Sequence, residues 1–399
     1  MGKVTHVLWC ISWEGKALVR IIHCCLSNYY IDRYSYQENI LPMQNKVDGH
    51  SVMIIASTET FIDNDKLGYL SPGSYETEYG VPIKRLPYRR IISHFLSSKL
   101  RSYLGLVSEL ETFTPDVIFY HGCGGLAILD VVRYKKRHPQ VNLFMDSHED
   151  LNNSGRNWVS KNIQHKLIHG PLTRYAYPHL EKLLYISEEA RMFLLDIYKV
   201  PTEKLEFYPL GGFVIDGEER AKRRLRARTE LGVCTHDILL CHSGKMDRLK
   251  RTQDILHAMA NVKANNLRLI LVGSLPEDTK DEILSGMEED SRVAYLGWKS
   301  ADELLDCLCA CDLYLQPGSQ SATMISAICC GAPVMLYPHK SYLPMLKGNV
   351  WYVDTVDDMS KVFSEVVENP RILHEKGIAS YDLAHGVFDY RNLASRIYE

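Results

Sequence analysis

The sequence predicts an α/β protein made of two halves built alike, each a parallel sheet wound through βα units. Three observations carry this. Short apolar runs rich in β-branched and aromatic residues recur along the chain, and several end in a Gly-rich or polar loop. Segments of helical period lie between them. At 399 residues the chain is also too long for one ordinary core, so two domains are expected.

In chain order, the first strand is Ala17 to Cys25, followed by a polar loop and a helix from Gln37 to Val47. Gly49-His50 then turns the chain into a second strand, Ser51 to Ala56. Further strands are expected at Asp116–Tyr120, Val141–Met145 and Lys182–Ile186. Pro209-Leu-Gly-Gly-Phe213 closes this half. Asp216 to Arg228 is charged and lacks an apolar stripe, which reads as a connection plus a solvated helix. The second half repeats the grammar, with strands opening at Ile238, Leu267, Val293 and Leu313. The end, Tyr381 to Tyr398, reads as helical and is expected to pack back on the first domain. The domains expected are therefore 18–212 and 213–380, with 381–399 as the returning helix.

Composition narrows the function. Charged residues make up 24% and the formal net charge is -3, which suits a globular protein and argues against a dedicated nucleic-acid binder. None of the eleven cysteines forms a C-x-x-C pair, and Cys307, Cys309 and Cys311 spread around a helix; buried thiols of a reducing, cytoplasmic compartment are expected rather than a zinc site. No apolar run approaches the roughly 18 residues of a membrane span. The apolar patch Val7–Trp13 lacks a cleavage site and reads as an extension or an upstream start. Asp63-Asn-Asp65 follows the polar Thr58-Glu-Thr60 rather than an apolar strand, so it reads as a surface loop and not as a metal motif.

Two loops carry the chemistry. The first follows the strand at Ile238 and holds Gly244, Lys245, Arg248, Lys250 and Arg251. Gly244 lets backbone approach a ligand, and a following helix would offer free N–H groups. Cations at a helix N-terminus oppose the helix dipole, so an anionic ligand explains them better than stability does. The alternative is a solvated turn with ordinary surface lysines. The second loop, Pro317 to Ala327, places small hydroxylated residues before an apolar helix, with Ser321 as the N-cap candidate and the amides of Ala322 and Thr323 facing the ligand. Any capped helix looks this way; two such loops on neighbouring strands say more together.

Residues 238 to 337 resemble the donor-binding domain of retaining GT-B glycosyltransferases of family four. The motifs are Gly244-Lys245 with Lys250, Val272-Gly273, Leu296-Gly297, Cys311-Asp312 and Cys330-Gly-Ala-Pro-Val334. The first half adds Gly49-His50, Pro115-Asp-Val117, Ser147-His148-Glu149 and Ile186-Ser187-Glu188. The resemblance implies two Rossmann-like domains facing each other across a cleft, the first on the acceptor side and the second binding the donor. It implies metal-independent transfer, without a cofactor, from a nucleotide diphosphate sugar to a saccharide or lipid-linked acceptor, in surface polysaccharide or lipopolysaccharide assembly. His148 would lie near the donor sugar, or else merely cap a helix or face the cleft. Lys245 and Lys250 would hold the leaving diphosphate. Gly244, Arg248, Ser274, Trp298, Lys299, Gly318, Ser319, Gln320, Ser321, Ala322, Thr323 and Ser326 would line the donor site, with Trp298 either stacking on the base or packing.

One departure stands out. The family's two glutamates, eight positions apart, fall here at Gly318 and Ser326. Ser326 could still bond a ribose, and Gln320 could partly replace the first. A non-catalytic sugar-nucleotide-binding or scaffold homologue is therefore the alternative. An epimerase of the same fold would need a second acid/base side chain that the sequence does not supply. Residues 88–106 form a basic amphipathic segment that would either touch the inner face of the plasma membrane or pack on the first sheet, and Arg156, Trp158, Lys161 and Lys166 could extend that surface.

Overall fold

A computed structural model describes residues 17–62, 66–89, 94–151 and 153–399. The patch Val7–Trp13 and the loop Asp63-Asn-Asp65 lie outside them, as do Arg90, Ile91 and Ile92 of the basic segment. Two compact units emerge. One holds the described residues up to Tyr185 with Ala190–Phe207 and Ala394–Glu399; the other holds Ile186–Glu189 and Tyr208–Leu393. The chain changes unit after Phe207 rather than after residue 212.

In the first unit the strands are β1 (Arg20–Cys25), β2 (Ser51–Ser57), β3 (Glu59–Ile62), β4 (Lys66–Tyr69), β5 (Gly73–Glu76), β6 (Pro82–Leu86), β7 (Val117–Tyr120), β8 (Asn142–Ser147), β9 (Lys182–Tyr185) and β10 (Leu205–Phe207). Eight form one sheet in the order β10-β9-β8-β7-β1-β2-β6-β5, while β3 and β4 make a separate hairpin. All neighbours in the large sheet run parallel except β5, which pairs antiparallel with β6. The strands from β3 to β6 escaped the sequence reading because β4 and β5 are almost wholly exposed and carry no buried run. Strand order reverses between β1 and β7.

The second unit holds β11 (Ile238–Lys245), β12 (Leu267–Ser274), β13 (Val293–Tyr295), β14 (Leu313–Gln316), β15 (Val334–Leu336) and β16 (Val350–Tyr352). Their order is β13-β12-β11-β14-β15-β16, all parallel, the doubly wound arrangement with its reversal between β11 and β14. Along β11, Ile238 and Leu240 enter the core on one face and Leu239 and Cys241 the core on the other. A strand covered on both faces must be continuously apolar, which is why these runs were legible.

The helix Gly217–Glu230 corrects the expectation of a solvated segment. Asp216 caps it by accepting from the amides of Glu218 and Glu219. Its arginines then dock it on the helix Ala301–Ala310 and the strand that follows. Arg223 reaches Asp302 at 3.0 Å and Asp306 at 2.8 Å, and Arg228 reaches Asp312 at 3.0 Å. Asp312 also takes Arg224 at 2.5 Å and the amide of Leu239 at 2.8 Å. Packing by charge leaves no apolar periodicity to read.

The chain end is broken into pieces: a helix over Arg371–Leu383, a π turn over Ala384–Phe388 and a helix over Tyr390–Ser395. Ala394–Glu399 belong to the first unit, where the Tyr398 hydroxyl donates to Asp48 at 2.7 Å and its ring meets His50 edge-on. Of the cysteines, nine described ones are buried free thiols and Cys234 is an exposed one.

Replacing Asp312 by Asn leaves two guanidinium groups without their anion, and should lower unfolding stability by roughly 1–3 kcal/mol. The urea midpoint measures it; an unchanged midpoint would show that these arginines contribute nothing to docking the helix.

Candidate functional site

The carboxyl ends of β11 and β14 flank the reversal of the second sheet, the place where a doubly wound sheet opens a crevice for ligands. Both loops singled out from the sequence start there. At the end of β11, Gly244 has φ +126, and Gly273 beside it in β12 has φ +138 with no room for a Cβ, which would lie 1.9 Å from the Gly244 oxygen. The Asp247 carboxylate accepts from the Leu249 amide and starts a tight 3-10 turn, Arg248–Lys250, ahead of the helix Thr252–Asn261.

That turn carries Lys250 inward. Its side chain passes over Gly244, where a Cβ would meet Cε at 3.4 Å, and its ammonium donates to the Ser319 carbonyl at 3.2 Å. Lys250 is only 8% exposed. Burial pulls its pKa down, partly offset by the more distant Asp247. Among the described residues no carboxylate comes within ion-pairing range of it. The other cations of the loop differ. Arg251 is held by Asp254 at 2.7 Å and by the carbonyls of Pro317 and Asp354. Arg248 lies against the helix Glu277–Glu288, donating to the Asp278 carbonyl and facing Glu282 at 3.8 Å. Lys245 is exposed. Four cations read from the sequence as one cluster thus divide into two that bind their own unit and two lysines.

The β14 loop is zipped to the first. The Ser319 amide donates to the Leu249 carbonyl at 2.8 Å, and His339 Nε2 faces the Gly318 carbonyl at 3.0 Å. A Cβ on Gly318 would stand 2.0 Å from the Leu249 oxygen. No side chain fits there, so with the two loops meeting in this way position 318, where the resemblance implies a glutamate, accommodates only glycine. Gln316 is fully buried; its Nε2 donates to the Ser319 carbonyl at 3.1 Å, while Oε1 has no partner among the described residues. The N-cap expectation needs correction. The helix Thr323–Cys329 is capped at Ala322, and Ser321 Oγ accepts from the Thr323 amide one step off the cap position. Gln320 and Ala322 are exposed, Thr323 and Ser326 half-buried.

At the neighbouring strand ends Ser274 is exposed, and the Gly273 amide donates to the Gly297 carbonyl at 2.8 Å. Trp298 is 76% exposed, so it does not pack into the core. Lys299 pairs with Glu303 at 3.5 Å beside the capping box of Ser300.

In the first unit, His148 follows β8 and belongs to a buried polar chain that the sequence reading missed. Asp146, wholly buried, accepts from His121 Nδ1 at 2.8 Å and from the Gly122 amide at 2.6 Å, and its Oδ2 lies 3.5 Å from His148 Nε2. His121 Nε2 faces His23 Nδ1 at 3.1 Å, and His23 Nε2 meets Asn45 at 2.9 Å. For His148, burial acts to lower the pKa, but the Asp146 carboxylate outweighs it and holds the ring at about 9. For Asp146, burial acts to raise the pKa; His121 and His148 reverse this and keep the carboxyl ionised well below the usual range. His23 is pushed down to about 3 by burial, with His121 adding to the effect. A signal for Asp146 was available, since it and His148 are two residues apart at a strand end and so share a face. His23 and His121 carried no such mark. Glu149 is committed to the Cys123 amide and the Ser147 hydroxyl, and Asp150 to the Asn153 amide. No cluster of three or more metal-ligating side chains occurs among the described residues.

Comparison with known proteins agrees with the resemblance. Residues 237–368 match the family described as "Glycosyl transferases group 1". Among curated proteins the chain is similar to the alpha-galactosylglucosyldiacylglycerol synthase of Streptococcus pneumoniae, 22% identical over 52% of this chain and 58% of that one. It is also similar to the N-acetyl-alpha-D-glucosaminyl L-malate synthase of Bacillus anthracis, 28% identical over 27% of this chain and 29% of the other. The chain thus spans less than two thirds of the length of these relatives. Among solved structures, Anabaena HepE in complex with UDP and glucose superposes with a TM-score of 0.59 at 14% identity, over 95% of this chain and 98% of that one. WaaG, a glycosyltransferase involved in lipopolysaccharide biosynthesis, gives 0.59 at 13%, over 95% and 99%. The fold is GT-B, with two Rossmann-like domains, and the second unit carries the group 1 glycosyltransferase pattern.

The raised His148 pKa has a defined consequence. The stability it contributes is fully present below the unfolded value of about 6.5 and is lost as pH rises through about 9. Histidine NMR should show one ring titrating near 9, and Asp146→Asn should move that midpoint to 6.5 or below. A midpoint that stays put would break the assigned pairing.

Proposed function

We propose that this chain is a retaining, metal-independent glycosyltransferase that takes a sugar from a nucleotide diphosphate sugar and gives it to a saccharide or lipid-linked acceptor in surface polysaccharide or lipopolysaccharide assembly. The observation that carries the reading is Lys250. An ammonium buried at the sheet's reversal, with one carbonyl as its partner, is costly unless an anion arrives to compensate it. A diphosphate leaving a sugar is such an anion.

The difficult step breaks the bond between the anomeric carbon and the phosphate oxygen. Positive charge builds on the sugar ring and negative charge on the leaving diphosphate. Lys250 meets the second of these from a fixed position, since its stem lies over Gly244 and its head on Ser319. Lys245, exposed at the strand end, adds a mobile charge to the same loop. The acceptor hydroxyl can give its proton to the departing phosphate oxygen, so no side-chain base is required. We assign His148 to the transferred sugar; held as an imidazolium by Asp146, it offers hydrogen-bond donors and accepts no proton at neutral pH. We assign Trp298, exposed outside the core, to stack on the nucleotide base. HepE in complex with UDP makes a uridine diphosphate sugar the first donor to test. The diacylglycerol in the name of one relative makes a lipid-linked acceptor the first class to try. We place the reaction in the cytoplasm; no described helix is long and apolar enough to cross a membrane.

A second reading, a sugar-nucleotide-binding homologue without turnover, is favoured by one observation: backbone contact at Gly318 bars any glutamate there. Incubation with uridine, guanosine and thymidine diphosphate sugars separates the two, since binding without hydrolysis or transfer would support the second.

Lys250→Ala should weaken nucleotide diphosphate binding and lower the transfer rate by about 10²–10³. Because it removes an uncompensated buried charge, its Tm should not fall. Wild-type affinity and rate in this variant, by calorimetry and a donor-release assay, would overturn the reading.

A further inference from the structure

The stretch from Leu151 to Leu180 contains no Asp or Glu, yet carries Arg156, Lys161, Lys166 and Arg174. Within it, Ser160–His169 winds in wide π turns, so residues about four to five apart share a face. The inward face is polar. His165 is 3% exposed, bonded to the Tyr198 hydroxyl at 2.9 Å and set against the Phe193 ring; His169 is 7% exposed. The outward face is mainly apolar: Trp158 and Leu167 are each 70% exposed, Val159 59%, Ile163 41% and Ile168 37%, with Gln164 exposed beside them. A water-facing helix normally has the opposite arrangement. Here histidines point in, while a tryptophan and four aliphatic side chains point out, with Gln164 and Lys166 exposed among them.

The basic segment read from the sequence as a membrane candidate is built differently where it is described. Tyr103 and Leu106 lie in the core, and Arg101 is taken up by Glu59 at 3.6 Å and the Tyr29 ring.

We infer that the outward face of residues 158–168 is an interfacial docking surface for an anionic lipid bilayer. A tryptophan at the headgroup level, aliphatic side chains reaching the acyl boundary and lysines toward anionic headgroups are what such a surface requires. Charge selects the bilayer over a second copy of this chain. A symmetric self-contact would bring the same patch against itself, cations facing cations with no acid in the stretch to relieve them. The inference rests on the proposed function only for its purpose, which is to hold the chain where a lipid-linked acceptor resides.

The experiment is flotation of the full chain with vesicles of phosphatidylcholine alone or mixed with phosphatidylglycerol. The wild type should float with the anionic vesicles, less so as salt rises, and stay behind with the neutral ones. Trp158→Ser with Leu167→Ser should lower that partition at least about tenfold, and Lys161→Glu with Lys166→Glu should abolish its dependence on anionic lipid. All four positions lie outside the donor site, so Tm and nucleotide diphosphate affinity should be unchanged in both variants. Absence of wild-type flotation, or flotation indifferent to both variants, overturns the inference. So does a concentration-dependent dimer in sedimentation that the apolar variant dissolves. A chain that floats but neither binds nor turns over sugar nucleotides would instead remove the proposed function and leave the surface standing.

Discussion

The second unit turns on one uncompensated charge. Lys250 is folded under its own tight turn, with a carbonyl where a carboxylate would ordinarily sit. Around it the chain segments are held by backbone contacts: glycines at 273 and 318 let them approach the Gly244 and Leu249 carbonyls to distances that no side chain tolerates. Arg251 and His339 brace the second loop from outside through the carbonyls of Pro317 and Gly318. The charge is therefore positioned by elements that cannot shift independently of the sheet. This is what electrostatic stabilisation of a leaving anion requires, because a group that must reorganise during the reaction gives back much of what it contributes.

In the first unit the polarity is reversed. The buried anion Asp146 is over-satisfied, taking a histidine and a backbone amide with a second histidine at ion-pairing distance. His121 stacks on His23, burial keeps His23 neutral, and Asp146 sustains positive charge on His148. One unit thus holds a cation with no carboxylate in ion-pairing range among the described residues, and the other a cation whose charge is sustained by a buried carboxylate.

The buried sheet strands were legible because a strand covered on both faces has to be continuously apolar, as along β11 and β12. The exposed strands β4 and β5 were not, since they bury no continuous side; the helix Gly217–Glu230 was legible, but its docking was not, since arginines hold it. At the site, glycine and lysine spacing marked the right two loops. It did not distinguish Lys250 from Arg248 and Arg251, because which cation meets a carboxylate depends on residues 282 and 354, remote in sequence, as well as on the local Asp254.

Sequence alone determined the α/β class, the two-part plan and the loops that carry charge, since all three follow from local period and local composition. Tertiary structure decided which lysine is buried without a carboxylate beside it, why residue 318 can be nothing but glycine, and that the carboxylate next to His148 is itself held by His121 from the end of β7. Each of those depends on strands brought side by side, and a distance across a sheet leaves no mark on the spacing of residues along a chain.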